Sequence, residues 1–358
     1  MILNIDRLID KYIGNLLILA LQPIKLIKKF IKPKDKKIAI IKLWTLGESL
    51  LTLPSIKKLK DQGYKVDVIV TNRSSKVYEL SGLADNVINF SPLLITKLFH
   101  YDYVIDFEPY FNLSALISFY LGKKNIGYNN LFRKNLYDYK IDYDDKIHTT
   151  INMAKLLKPL SIDFVPKELV PLKYTNKEKK KIDNLLSKLK FKKLIGIHTG
   201  LAETSKYRMW KIDNVERLIK KILNSKKDTI IILTGTNADQ EINNKIIKKI
   251  NNPRLINLSG KTNVEELSYL MTKFNVFISN DTGPMHLAAA MKTKTIGLFG
   301  PNLPERFAPF GKNNISIYKA NKLKCSPCIN VHKGEFRKCP YNGKCMDLIT
   351  VDDVYKEI

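Results

Sequence analysis

The sequence alternates between short apolar runs and amphipathic stretches, and it does so twice. The first series opens with KKIAIIKLW at residues 36–44, and the second opens with KKLIGIHTG at residues 192–200. Short apolar runs separated by helical patterns predict parallel β-strands that are covered by helices on both faces. A polar, proline-containing stretch at residues 130–190 separates the two series. We therefore predict an α/β chain with two doubly wound, Rossmann-like domains in tandem.

The pattern also suggests where the domains begin and end. We place an N-terminal segment at residues 1–35, a first Rossmann-like domain at 36–175, a second at 176–320 and a tail at 321–358. Sheets of this kind bind ligands beyond the carboxyl ends of their strands. When two such domains face each other, the cleft between them is the expected binding site.

The N-terminal segment joins an apolar centre, Tyr12–Leu21, to a lysine-rich flank. Its apolar run is shorter than the ~20 residues that a membrane-spanning helix needs. Asp6 and Asp10 stand where a signal peptide would be basic. The pattern predicts an amphipathic helix on an anionic membrane surface, and so a cytoplasmic protein peripheral to the inner face of the cytoplasmic membrane. A helix that packs on the body of the protein is the alternative.

The formal net charge of +27 reflects a large excess of lysine. Such a surface attracts anions, among them nucleic acid, acidic lipid headgroups and phosphorylated substrates. A lysine-rich composition also arises from AT-rich codon usage, without a function of its own. The sequence contains no recognisable nucleic-acid-reading module and no interleaved basic and aromatic stripe, so we expect no nucleic-acid partner.

A polar hinge interrupts the stretch FISNDTGPMHLAAAMKTKTIGLFGP at residues 277–301, between an apolar strand and an alanine-rich helix. The acid or the threonine of this hinge can cap the helix, its proline suits a first helical position, and its glycine lets backbone approach a ligand. Free N–H groups at a helix N-terminus favour an anion, above all a phosphate. A capped turn with a buried histidine is the alternative. The residues concerned are Asp281, Thr282, Gly283, Pro284 and His286.

The pattern Asp-Thr-Gly-x-x-His, followed by three alanines and by GLFGPNLP, resembles the sequence signature of glycosyltransferase family 9, the heptosyltransferase family. The resemblance runs from about residue 37 to residue 310 and is most specific at 277–301. It implies the GT-B fold, with two Rossmann-like domains facing each other across a cleft. It also implies inverting transfer of a sugar, such as heptose, from a nucleotide-diphosphate donor, such as an ADP-linked sugar, to a cell-envelope glycan or glycolipid such as lipopolysaccharide core.

The resemblance assigns a catalytic base to the first domain. In the family, the turn after the first strand reads Gly-Asp, and the Asp is taken as the base. Here the turn is KLWTLGESLLTLP, so Glu48 occupies that position and would accept the proton of the acceptor hydroxyl. Its side chain is one methylene longer than Asp, which affects positioning. An ordinary acid in the first turn of a helix is the alternative.

The resemblance also implies a donor site in the second domain. GIHTGLAETSKYRMW is similar to the family's loop ending in Lys-x-Trp, with Arg208 at the basic position and Lys206 close by. A cation there would neutralise the departing diphosphate, and Thr199 and Gly200 would contact the same phosphates. An ordinary basic surface loop is the alternative.

A further donor contact is implied in LTGTNADQE, where Gly235 and Asp239 match the family's Gly-x-x-x-acid and the acid would hold the nucleotide ribose. Glu241 is the nearby alternative. The stretch SGKTNVEEL, at residues 259–267, falls where the family lines its base pocket.

Acceptor contacts are harder to place, because they come from the more variable first domain. Glu108, Tyr110 and Arg133 are candidates to face the acceptor, and we treat His148 as structural.

The mechanism implied is a single displacement with inversion, through an oxocarbenium-like transition state. It requires no cofactor if the basic side chains carry the charge of the leaving group. A GT-B enzyme of another class, such as a nucleotide-sugar epimerase, is the first alternative, and a basic nucleic-acid-binding protein is another. A dinucleotide oxidoreductase is disfavoured because GESLLTLP, and no GxGxxG, follows the first strand.

All four cysteines lie in one short stretch of the tail, CSPCINVHKGEFRKCPYNGKC. Their confinement predicts a structural zinc or iron–sulfur site, with His332 as a substitute ligand. Two disulfides or free thiols are the alternatives. The four residues are Cys325, Cys328, Cys339 and Cys345.

Overall fold

The structure is a computed structural model that describes residues 2–200 and 207–358. The chain forms two compact units. The first comprises Met1–Pro166 and Asn330–Phe336, and the second comprises Lys167–Ile329 and Arg337–Ile358. The tail thus contributes one short segment to the first unit and then returns to the second. The domain limits given above from the sequence stay predictions.

Six parallel strands form the sheet of the first unit: β1 (Lys37–Ile41), β2 (Lys65–Val70), β3 (Asn86–Asn89), β4 (Tyr101–Asp106), β5 (Gly122–Tyr128) and β6 (Tyr139–Ile141). Their order across the sheet is β3-β2-β1-β4-β5-β6. The order reverses between β1 and β4, so the crevice beyond their carboxyl ends is the switch point at which such folds bind ligands.

The second unit repeats this topology with β7 (Lys193–His198), β8 (Thr229–Thr234), β9 (Leu255–Asn257), β10 (Val276–Asn280), β11 (Thr295–Phe299) and β12 (Ile315–Tyr318). The order is β12-β11-β10-β7-β8-β9, and the switch point lies between β7 and β10. A separate two-stranded ladder in the tail pairs β13 (Ile329–Asn330) with β14 (Glu335–Phe336). The two doubly wound sheets predicted from the sequence are confirmed.

The helices follow the same division. Those of the first unit are α1 (Ile2–Ala20), α2 (Gln22–Lys28), α3 (Leu46–Asp61), α4 (Ser75–Ser81), α5 (Asn112–Leu121) and α6 (Thr149–Lys155). Those of the second unit are α7 (Asn176–Leu186), α8 (Ile212–Ser225), α9 (Gln240–Ile250), α10 (Val264–Met271), α11 (Gly283–Ala290), α12 (Pro304–Phe307), α13 (Lys344–Asp347) and α14 (Val351–Tyr355).

Continuous apolar strands explain why both sheets are covered. Every residue of β8, TIIILT, is buried, and so are four of the five residues of β1. A parallel strand with helices on both faces has no solvent-facing side, and its sequence therefore reads as an unbroken apolar run. The polar groups of these strands and their turns are left at the strand ends.

One face of α1 and α2 packs on the first unit. Ile18 is fully buried together with Phe119, Leu136 and Tyr137. Lys28 is buried as well, and its ammonium group donates to the carbonyl oxygen of Phe119 at 3.1 Å. The opposite face remains exposed and apolar. In the described part of the chain, no helix has the length and apolar character needed to cross a membrane.

Candidate active site

The turn between β1 and α3 presents Glu48 in the first turn of the helix. Thr45 precedes the helix with a φ of 49°, a region that non-glycine residues seldom occupy, and its hydroxyl oxygen accepts from the Glu48 N–H at 3.4 Å. Backbone strain of this kind is concentrated at functional sites. Glu48 keeps 15% of its side chain exposed, so it is only partly buried at the carboxyl end of β1.

Lys42, the residue after β1, is fully buried between two carboxylates. Its Nζ lies 2.6 Å from Oε2 of Glu48 and 3.1 Å from Oε2 of Glu108. Burial alone would lower the pKa of this lysine, but the carboxylates, Glu108 above all, raise it above its usual value. Burial raises the pKa of Glu108, against the opposing effect of Lys42.

The end of β4 is occupied by a second buried ion pair. The carboxylate of Asp106 pairs with the guanidinium group of Arg133 and accepts from the Tyr137 hydroxyl at 2.7 Å. Glu108 and Arg133 are both almost completely buried, and Tyr110 packs against Phe111 with 4.2 Å between ring centroids. The structure therefore gives Glu108 and Arg133 internal partners instead of an open face.

The polar hinge of the second unit lies at the carboxyl end of β10, as the sequence predicts. Thr282 occupies the N-cap position of α11, yet no described side chain caps that helix. The Thr282 hydroxyl lies 3.1 Å from the hydroxyl of Ser279 instead. His286 is buried in the helix, and Pro284 lies in its first turn. Among the described residues, the helix N-terminus thus has no side-chain cap, which leaves its N–H groups available to an anion.

The structure brings Arg208 to this hinge. Its Nη1 donates to the backbone oxygen of Asp281 at 3.0 Å and lies 3.3 Å from the Asp281 carboxylate, which also accepts from Asn302 at 2.9 Å. Within the described residues, the buried Nε of Arg208 has no hydrogen-bond partner. Trp210 fixes the loop, because its backbone N–H donates to Asn280 at 3.0 Å. Lys206 lies outside the described residues.

The strand end at Thr199 and Gly200 is packed from below. The Thr199 hydroxyl donates to Asn243 at 2.6 Å, and a Cβ on Gly200 would approach His198 Nε2 to 2.2 Å. Burial lowers the pKa of His198 to about 4, so this histidine is neutral near pH 7. The sequence argument missed His198, although its place at the end of an apolar strand was a signal.

Asp239 has a local structural role. Its Oδ2 accepts from the backbone N–H of Thr236 at 2.7 Å and from the Thr236 hydroxyl at 2.9 Å, and the residue is buried. Gly235 lies directly against it, since a Cβ there would be 2.6 Å from the Asp239 Cβ. Glu241 is exposed and paired with Lys245. The predicted stretch 259–267 begins at Ser259, which accepts from Asn243 and is buried.

The predicted metal site in the tail is not supported. All four cysteines are free, and nowhere in residues 2–200 and 207–358 do three or more His, Cys, Asp or Glu side chains form a group that could hold a metal ion. Cys345 packs into the hydrophobic core of the second unit, whereas Cys325 is exposed. His332 is used elsewhere: its ring stacks on Tyr143, and its Nδ1 lies 3.0 Å from Asp145.

Two doubly wound parallel sheets in one chain, each with polar groups at its switch point, define an α/β protein of the GT-B class. A family model of glycosyltransferase family 9 (heptosyltransferase) matches residues 97–336. The chain belongs to this family, which confirms the resemblance seen in the sequence.

Relatives agree with this assignment. The chain is 32% identical to lipooligosaccharide heptosyltransferase 2 of Campylobacter jejuni over 184 residues, 50% of this chain but only about half, 55%, of that protein. It is 28% identical to lipopolysaccharide heptosyltransferase 1 of Campylobacter coli over 89% of this chain and 97% of that protein. The solved structure of the Escherichia coli ADP-heptose heptosyltransferase II superposes with a TM-score of 0.68 at 19% identity, covering 90% of this chain and 97% of that chain. This last likeness confirms the GT-B fold.

Proposed function

We propose that this chain is an inverting glycosyltransferase that moves a sugar from a nucleotide-diphosphate donor to a cell-envelope glycan or glycolipid. The observation that carries the proposal is the carboxylate of Glu48 at the switch point of the first sheet, held 2.6 Å from a buried lysine at the position where the family has its base. The names of the relatives support heptose as the sugar, an ADP-linked donor and lipopolysaccharide core as the acceptor.

The first unit supplies the base in this proposal. Glu48 accepts the proton of the acceptor hydroxyl as that oxygen attacks the anomeric carbon. Glu48 stands beside the buried ammonium group of Lys42 and keeps part of its side chain exposed. Attack from the side opposite the leaving group then inverts the anomeric configuration.

The second unit supplies the leaving-group site. The uncapped N-terminus of α11, at Thr282 and Gly283, offers backbone N–H groups to a diphosphate, and Arg208 offers a cation at the same place. The transfer needs no metal if these groups stabilise the departing charge. The rest of the proposed donor site consists of Thr199, Gly200, Lys206, Gly235, Asp239, Asp281, Pro284 and His286.

We also propose that the exposed face of α1 and α2 rests on an anionic membrane, at the inner face of the cytoplasmic membrane. Eleven of the nineteen exposed large hydrophobic side chains among the described residues lie within residues 8–30. Exposed lysines border this face, at Lys11, Lys29, Lys32 and Lys34. An apolar face bordered by cations is the pattern of a helix that lies in a lipid interface. This location would bring the enzyme to a glycolipid acceptor.

The test of the transferase is acceptor-dependent release of nucleotide diphosphate. Purified protein is incubated with ADP-heptose and heptose-deficient lipopolysaccharide, and the anomeric configuration of the product is determined by NMR. We expect release of ADP only when the acceptor is present, with an inverted anomer. An isomerised nucleotide sugar formed without acceptor would instead identify an epimerase.

A further inference from the structure

We propose that Lys42 and Glu108 are positioning residues for the base: Glu108 holds Lys42 and the β1–α3 turn in place, and Lys42 in turn holds Glu48. This inference rests on the proposed function, because it assigns a purpose to the geometry around Glu48. Lys42 and Glu108 are both buried.

One lysine pairs with two carboxylates. The Lys42 ammonium group lies 2.6 Å from Glu48 and 3.1 Å from Glu108, and its side chain is fully buried. A buried ammonium group is tolerated only when its charge is compensated and its protons find acceptors. With Glu48 partly exposed and Glu108 buried, the inner carboxylate is the permanent partner and the outer one is the group presented to a ligand.

Glu108 also fixes the backbone of the turn. Its Oε1 accepts from the N–H groups of Leu43 at 2.6 Å and Trp44 at 2.9 Å, while its Oε2 faces Lys42. The next residue, Thr45, carries the strained φ of 49°. A strained residue persists only where its surroundings hold it, and Glu108 supplies that restraint. One carboxylate thus sets both the direction of the turn and the place of Lys42.

Lys42 and Glu108 contribute opposite charges around Glu48. Replacing Lys42 with a neutral residue would remove the cation that stabilises the ionised base. Replacing Glu108 with a neutral residue would remove a negative charge near Glu48 and would leave Lys42 with Glu48 as its carboxylate partner. The two substitutions therefore have opposite electrostatic effects on Glu48, although both remove a contact from the same buried cluster. Among the described residues, the other titratable groups that interact with members of this cluster are Tyr78, Asp106, Tyr128 and Arg133.

The experiment is the pH dependence of kcat/KM for transfer in the wild type, Lys42→Met and Glu108→Gln. The acid limb reports the ionisation of an essential base. We expect its midpoint to move by about one pH unit upward in Lys42→Met and by a smaller amount downward in Glu108→Gln. Lys57→Met is the matched control, because Lys57 lies on α3 in an exposed pair with Asp61. Its profile should coincide with that of the wild type.

If Lys42 and Glu108 had a purely structural role, both variants would lose activity, but the midpoints of their acid limbs would not move in opposite directions. That result would overturn the inference. Where Lys42→Met does not fold, the Lys42→Met/Glu108→Gln double variant replaces it. The acid-limb midpoint of the double variant should lie at a higher pH than that of Glu108→Gln. Equal midpoints in the two variants would contradict a positioning role for Lys42. A wild-type protein without transfer activity would contradict the proposed function itself, whereas an active wild type with unmoved limbs would contradict only this inference.

Discussion

The two switch points of this chain are built from the same strand-and-helix arrangement but are filled in opposite ways. At the first, the chain supplies both signs of charge itself: Lys42 is enclosed by Glu48 and Glu108. At the second, the N-terminus of α11 has no side-chain cap among the described residues, and Arg208 lies beside it. The first arrangement holds a carboxylate in a fixed place, and the second leaves backbone donors and a cation for an anion. In the proposed function, this difference assigns proton transfer to the first switch point and leaving-group stabilisation to the second.

The largest effect is expected when the carboxylate of the first switch point is neutralised. We expect Glu48→Gln to reduce kcat of transfer by about 10²–10⁴-fold, because the amide cannot accept the acceptor proton. Donor binding should be unchanged. Glu79→Gln is the control, since Glu79 is an exposed acid of the same unit. Equal losses in both variants, or weakened donor binding in Glu48→Gln, would contradict the assignment.

The second switch point can be probed through its buried neutral histidine. Burial holds the pKa of His198 at about 4, below its usual 6.5, so the unfolded chain binds a proton between these pH values and the folded protein does not. The stabilising effect of this residue is complete above pH 6.5 and is lost as the pH falls toward 4, by about 3 kcal/mol in the free energy of unfolding. Denaturant titration measures this loss.

His198→Asn supplies the control, because an amide does not titrate in this range. Its free energy of unfolding should fall less steeply than that of the wild type between pH 6.5 and pH 4. Parallel pH dependence in the two proteins would show that His198 is not the buried neutral group described here.

A smaller effect is expected at the outer face of α1, which is part of neither switch point. Leu16→Asp should reduce binding to vesicles that contain anionic lipid by about tenfold, since it removes one apolar side chain from the proposed interface. Transfer to a water-soluble acceptor should not change. Leu93→Asp replaces another exposed leucine, outside α1 and α2, and serves as the control. Cosedimentation with the vesicles measures both.

The fold was predictable because buried parallel strands leave a clear trace in sequence. Runs such as KIAII and TIIILT have no polar alternation, and the glycine-containing hinge after β10 marks a strand-to-helix turn. The resemblance implies that Arg208 and the N-terminus of α11 act on the same diphosphate, and in the structure Arg208 lies 3.3 Å from the adjoining Asp281 carboxylate. Local patterns and a specific motif were sufficient for these features.

Other features depend on contacts that local patterns do not show. A lysine at the end of an apolar strand gives no sign that it will be enclosed by acids 6 and 66 residues away, which is why Lys42 was missed. Asp239 matches a family spacing, and only the fold shows that its carboxylate also accepts a hydrogen bond from its own turn. The spacing of the cysteines could not show that Cys345 enters the hydrophobic core. In each case the outcome was decided by packing or by a hydrogen bond formed only in the fold.

The most direct test of the division between the two switch points is calorimetric titration with ADP, UDP, GDP and CMP of the wild type, Arg208→Ala and Glu48→Gln. We expect one diphosphate to bind selectively, with affinity about tenfold or more lower in Arg208→Ala, because a charge-assisted hydrogen bond is lost. Glu48→Gln should bind like the wild type. Failure of the folded wild type to bind any of these nucleotides would contradict a donor site at the second switch point. Equal weakening in both variants would contradict the assignment of Glu48 as a base that does not bind the donor.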